Sequence, residues 1–123
     1  MKAKGLVWLG TRTRKFDDML GFVGDTLGLR KVHEEPDFAV FRLPNGDSVE
    51  VFGPGDRKHE HFDTGPVVGF LVVDVVEARA DLESAGITFA GPVHEAEDGG
   101  SWSPFTGPDG NVYEITAPAP ENV

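Results

Sequence analysis

Apolar positions along this chain change period in a fixed order, and they do so twice. Leu6-Val7-Trp8-Leu9 is a short apolar run closed by Gly10 and Thr11, and it predicts a strand. Phe16, Met19, Leu20, Val23 and Leu27 then fall at helical spacing and predict one buried stripe that stops at Gly28. The second pass begins with Val67-Val68-Gly69-Phe70-Leu71-Val72-Val73, again a strand. Val75, Ala78, Leu82 and Ala85 follow at helical spacing, stopping at Gly86.

Three strands are predicted after each helix. In the first half they lie near Arg30–Glu34, Phe38–Leu43 and Ser48–Phe52. In the second half they lie near Val93–Ala96, Ser101–Phe105 and Val112–Thr116. Pro44-Asn45-Gly46-Asp47 and Pro108-Asp109-Gly110-Asn111 are hairpin turns, with Pro setting φ and Gly accepting positive φ.

The two halves are an internal repeat. The segment from Phe41 to Val51 matches Phe105 to Ile115 at an offset of 64 residues, and it places Glu50 and Glu114 on equivalent last strands. The first strands repeat at an offset of 59, which aligns Gly10 with Gly69 and Trp8 with Val67. Five extra residues in the second half are therefore expected near Ala96–Gly100, where a loop absorbs them cheaply. The expected organisation is one domain, 1–123, with module one at 4–53, a linker at 54–65, module two at 66–117 and a tail at 118–123. Each module reads as β-α-β-β-β, an α+β arrangement.

A lone module of this kind exposes unpaired sheet edges. Two copies pairing their first strands make a curved, half-open mixed sheet around a cleft, with the helices outside. This plan resembles the vicinal oxygen chelate superfamily, the group of glyoxalase I, bleomycin resistance proteins and extradiol dioxygenases. Gly107-Pro-Asp-Gly-Asn-Val-Tyr-Glu-Ile115 carries the resemblance most specifically. Val67 to Val75 and the Leu27-Gly28-Leu29 helix end support it, and it covers about Leu6 to Pro118.

In metal-using members the resemblance implies four ligands, one on each first strand and one on each last strand. The last-strand positions are Glu50 and Glu114. The first-strand positions, usually histidine, are Trp8 and Val67, and neither side chain binds a metal. Two carboxylates alone suit Mg²⁺ or Mn²⁺ weakly and suit Zn, Ni or Fe(II) poorly. No cofactor is therefore expected, with a divalent metal on Glu50 and Glu114 as the alternative.

The other histidines stand outside that set. Val32-His33-Glu34 and Val93-His94-Glu95 recur on equivalent strands and read as exposed positions, with two imidazoles set symmetrically near the cleft as the other reading. His59 and His61 read as part of a surface loop, with a metal clip as the other reading. Trp8, Trp102 and Phe38 or Phe41 are candidates to wall an aromatic slot, and plain core is the competing reading.

Composition narrows the partners. Eleven basic against 21 acidic residues give a formal charge of −10, which argues against nucleic acid and anionic membranes. No cysteine is present, so disulfide and thiol chemistry are excluded and a reducing cytoplasm suits the chain. The apolar start, Leu6–Leu9, is too short for a signal core or a membrane span. The expected function is binding of a small aromatic or cationic organic molecule through Trp8, Glu50, Val67, Trp102 and Glu114, without metal. The alternative is a metal-dependent lyase, isomerase or dioxygenase with an altered ligand set. The resemblance also implies a homodimer.

Overall fold

The computed structural model describes residues 1–63 and 65–120. It is α+β, with open mixed sheets and a helix packed on one face of each. The chain divides into two compact units, Trp8–Val67 and Val68–Val123 together with Met1–Val7. The tail expected at 118–123 lies outside the described residues from position 121 onward.

The first unit contains β1 (Gly5–Arg12, from Trp8 onward), α1 (Phe16–Gly21), β2 (Arg30–Glu35), β3 (Phe38–Arg42) and β4 (Ser48–Phe52). Strand order is β2-β3-β4-β1, with β1 parallel to β4 and the other pairs antiparallel. Alternation decides the two faces. Ala39, Phe41, Val49 and Val51 turn toward the helix and pack with Val23, Phe16, Met19 and Leu20. Phe38, Val40, Glu50 and Phe52 turn to the opposite face, open in the sense that no helix packs on it, although Phe52 is fully covered there.

The predicted helical stripe holds as far as Val23 and then fails at Leu27, which is 54% exposed. The cause is a π-helical segment, Phe22–Thr26, closed by the Leu27 N–H donating to Phe22 O at 2.8 Å. One extra residue in that turn rotates later side chains by about 100°. Leu29 then takes the core position that Leu27 was expected to fill. Gly28 ends the element at φ +74°, as its sequence position predicts.

The second unit contains β5 (Val67–Leu71, from Val68 onward), α2 (Val75–Ser84), β6 (Thr88–Phe89), β7 (His94–Glu95), β8 (Ser101–Thr106) and β9 (Val112–Ala117). Its strands follow β5-β9-β8, with β5 parallel to β9 and both short strands antiparallel to β8. Three strands were expected after the helix, and four are present. The strand expected at Val93–Ala96 is reduced to two residues, and Thr88–Phe89 pairs separately with β8. Gly91 and Pro92 lie between the two pieces, where proline lacks the donor a continuous ladder needs. Val72, Val75, Ala78, Phe105, Ile115 and Ala117 form the buried core beneath α2.

The repeat is legible at the level of single hydrogen bonds. In the first hairpin Leu43 N–H donates to Asp47 O and Gly46 N–H to Leu43 O. In the second, Gly107 N–H donates to Asn111 O and Gly110 N–H to Gly107 O. Asn45 Oδ1 and Asp109 Oδ1 each accept from the backbone N–H two residues on, both at 3.0 Å. Gly46 and Gly110 take φ +92° and +86°, the left-handed region the turns require. The extra residues also lie where expected, in the Ala96–Gly100 turn, closed by Ala96 N–H to Gly100 O at 2.8 Å.

Candidate functional site

Each unit carries one glutamate on the open face of its last strand. Glu50 stands between Gly10 on β1 and Val40 on β3. Glu114 stands between Gly69 on β5 and Pro104 on β8. The pairing of Gly10 with Glu50 therefore recurs as Gly69 with Glu114, as the two sequence offsets require.

Glu50 is partly buried, and that burial pushes its carboxyl up to about 7. Arg42 opposes the rise and Asp56 reinforces it. Trp8, opposite Ser48 on the same face, is 8% exposed. A Cβ built at Gly10 would lie 2.5 Å from the Trp8 ring and 2.9 Å from Phe52. Only glycine leaves space for the indole to fold across β1 there.

An aromatic layer continues from Glu50 along β4. Phe38 and Phe52, side by side on neighbouring strands, lie 5.8 Å apart with their planes 6° from parallel. His59 stacks on both, at 4.5 and 4.8 Å. Phe62 is 2% exposed and meets Trp8 edge-on at 5.5 Å. Phe38 thus joins the open face, whereas Phe41 points to the helix and belongs to the core.

His59 lies in a loop, as expected, and is partly covered there. Its side chain is 23% exposed, and its Nδ1 lies 3.0 Å from Asp56 Oδ1. Asp56, with a side chain only 4% exposed, also accepts from the His59 backbone N–H at 3.1 Å and from Arg12 Nη2 at 3.3 Å. Arg12 donates further to Gly53 O, Phe62 O and His59 O at 2.9, 3.0 and 2.5 Å. One guanidinium thus organises the segment from Gly53 to Phe62 over the end of the sheet. Sequence reasoning passed over Arg12 and Asp56. The available signal was a cation on an otherwise apolar strand, at the position where the second repeat has Leu71.

In the second unit Trp102 and Thr116 are cross-strand partners on the face that Glu114 shares. Glu114 is 6% exposed, and Thr116 Oγ1 donates to its Oε1 at 3.3 Å. His94 stacks on Trp102 at 5.6 Å. Val67, at the start of β5, is 1% exposed. The two Val-His-Glu segments occupy equivalent strands in shifted register. His33 pairs with Val40, but His94 pairs with Trp102, the counterpart of Phe38. His33 instead lies 2.6 Å from Glu35, which also receives Lys58 Nζ at 3.1 Å.

The donor chemistry is a poor match for a transition metal. The four implied positions hold two carboxylates, an indole and an isopropyl group. Among the described residues, no three His, Asp or Glu side chains gather as a metal site. Among the same residues, no helix is long and apolar enough to cross a membrane.

Comparison with known proteins gives the same architecture. The profile of the Glyoxalase/Bleomycin resistance protein/Dioxygenase superfamily matches residues 5–115. A search of curated proteins finds no significant sequence match. Among solved structures, the Mn(II)-bound glyoxalase from Novosphingobium aromaticivorans is similar over 99% of this chain, with TM-score 0.76 and 21% identity. This chain spans 42% of that protein's length. Methylmalonyl-CoA epimerase from Mycobacterium tuberculosis aligns with 96% of this chain and 90% of its own, with TM-score 0.71 and 20% identity. A superfamily member from Vibrio splendidus 12B01 aligns with 93% of this chain and 100% of its own, with TM-score 0.64 and 19% identity. At these identities the likeness is one of fold, and with the profile match across most of its length the chain belongs to the glyoxalase/bleomycin resistance protein/dioxygenase superfamily.

Proposed function

We propose that this protein binds a small aromatic or cationic organic molecule on the open faces of its sheets, without a transition metal. Trp8 and Glu50 act from β1 and β4, Val67 from the start of β5, and Trp102 and Glu114 from β8 and β9. One observation carries the reading. A partly buried carboxyl, Glu50, stands on an open sheet face with Trp8 where a ligand histidine is implied by the resemblance. An aromatic wall beside a carboxylate favours a flat cation through stacking and charge. The reading includes a homodimer and a cytoplasmic setting.

The Mn(II)-bound glyoxalase among the structural neighbours motivates a second reading, a divalent metal held by carboxylates for lyase, isomerase or dioxygenase chemistry. Elemental analysis and calorimetry separate the two. Protein purified without chelator or histidine tag is expected to carry no stoichiometric Mn, Fe, Ni or Zn. Trp8→His, which adds an imidazole beside Glu50, is expected to raise Mn²⁺ affinity and weaken binding of a cationic aromatic such as tyramine. Glu114→Gln is expected to lose about ten- to hundredfold in tyramine affinity, the worth of one charge-assisted contact. A metal-loaded parent protein, or two variants that bind tyramine as the parent does, would overturn the reading.

A further inference from the structure

The Asp56–His59 pair has no part in the reading above, and its construction is costly. Asp56 is a carboxylate with a nearly inaccessible side chain, neutralised by Arg12. Burying such a pair seldom adds stability over an apolar filling of the same space. A phenyl ring at position 59 would cover Phe38 and Phe52 without needing either charge. What the arrangement achieves instead is orientation of one imidazole. One ring face lies on Phe38 and Phe52, and the Nδ1 edge is engaged by Asp56. The side chain keeps 23% of its surface exposed, and among the described residues no buried side-chain nitrogen is left without a partner, Nε2 of this ring included.

The carboxylate also fixes the chemistry of the Nε2 edge. Asp56 offers only acceptors, so Nδ1 carries the hydrogen and Nε2 of the neutral ring is an acceptor. The same open face holds Glu50, two residues before Phe52 on β4.

We propose that His59 is a ligand-recognition residue of the first unit's open face, accepting at Nε2 a hydrogen bond from a hydroxyl group on a planar organic molecule. Asp56 and Arg12 are its positioning residues. Ligands whose polar end is a carboxylate or phosphate are disfavoured, because they would meet an acceptor nitrogen backed by Asp56. This inference rests on the binding reading above and narrows its ligand to a hydroxyl-bearing aromatic.

Two probes differing by one hydroxyl test it: tyramine and phenethylamine, each titrated by calorimetry at about pH 8, where an ordinary imidazole is neutral. Nitrogen-15 spectra of the histidine side chains are recorded in the same titrations. The parent is expected to bind tyramine about tenfold more tightly than phenethylamine, the worth of one hydrogen bond. The His59 Nε2 resonance is expected to move with tyramine while Nδ1 holds its position. His59→Phe, which keeps a ring on Phe38 and Phe52, is expected to bring the two affinities together. The proposal fails if the tenfold preference survives in His59→Phe, or if Nε2 stays still while tyramine is bound. In either case the binding reading stands with His59 as a structural residue. If neither amine binds the parent at millimolar concentration, the binding reading falls and this inference with it.

Discussion

Each unit places one arginine in its partly buried interior, and the two arginines lie on opposite faces of their sheets. In the second unit Arg79 reaches from α2 on the core side. It donates to Gly91 O at 2.6 Å and to Ser103 Oγ at 3.1 Å, and its guanidinium covers Phe89. In the first unit Arg12 lies at the end of β1 on the open face and fastens the segment Gly53–Phe62. The backbone frame is the same in both: a first strand parallel to the last, a helix on one face, and matching hairpin turns. The difference shows how a duplicated module diverges. Hydrogen-bond register is shared by every residue of a ladder and resists change. Side chains beyond the ladder carry no such constraint: one copy has Arg12 holding Asp56 and His59 of the loop after β4, while the other has Leu71 at the position of Arg12.

The strongest test of that contrast is Arg12→Leu, which gives the first unit the residue of the second. Asp56 would be left buried without its cation, at a cost of about 3–5 kcal/mol. Chemical denaturation is expected to show that loss, and Asp56→Asn added to Arg12→Leu is expected to restore part of it. A loss under about 1 kcal/mol would mean that Arg12 does not hold the segment.

A smaller effect isolates Glu50. Its folded carboxyl is raised from an ordinary value of 4.5 to about 7, so the folded protein binds the proton more tightly than the unfolded chain. Stability from this group is therefore fully present below about pH 4.5, falls between 4.5 and 7, and is lost above 7. Glu50→Gln removes that dependence. Relative to the parent, the variant is expected to gain about 2 kcal/mol between pH 4.5 and pH 8, allowing for the partial exposure of the group. Denaturation midpoints of both proteins across that range check the sign and the size.

The smallest effect compares the helices. α2 begins at Asp74, whose carboxylate accepts from the Glu77 N–H at 3.0 Å. α1 begins at Lys15, with no side-chain cap. Asp74→Ala is expected to cost about 1 kcal/mol and Lys15→Ala only a few tenths, both read as thermal midpoints.

Much of the fold was legible in the residues because local rules and the repeat agreed. Gly28, Gly46, Gly86 and Gly110 stand at positive φ where the turn chemistry puts them. The offsets of 59 and 64 equate Gly10 with Gly69 and Glu50 with Glu114, and the same strand pairing joins each pair in the structure. The exposure of Leu27 and the strand β6 were not legible, for local reasons with weak signatures. A π-turn leaves no compositional mark, and a two-residue strand is shorter than any periodicity can register. The candidate residues divide the same way. Glu50 and Glu114 stand out through the repeat, Trp8 through the ligand position implied by the resemblance, and strand alternation assigns their faces. Arg12, Asp56 and His59 form one cluster although up to 47 residues separate them in sequence. No pattern of polar and apolar positions encodes such a meeting, because it depends on where Gly53–Phe62 folds back. That return is set by Arg12, by Phe62 seated in the aromatic layer, and by the close approach of Asp37 to Gly53 and Gly55. The sequence by itself determined the ladder and its faces, through alternation and turn chemistry. Only the tertiary structure decided which polar groups are buried together, since burial is a property of the assembled layers.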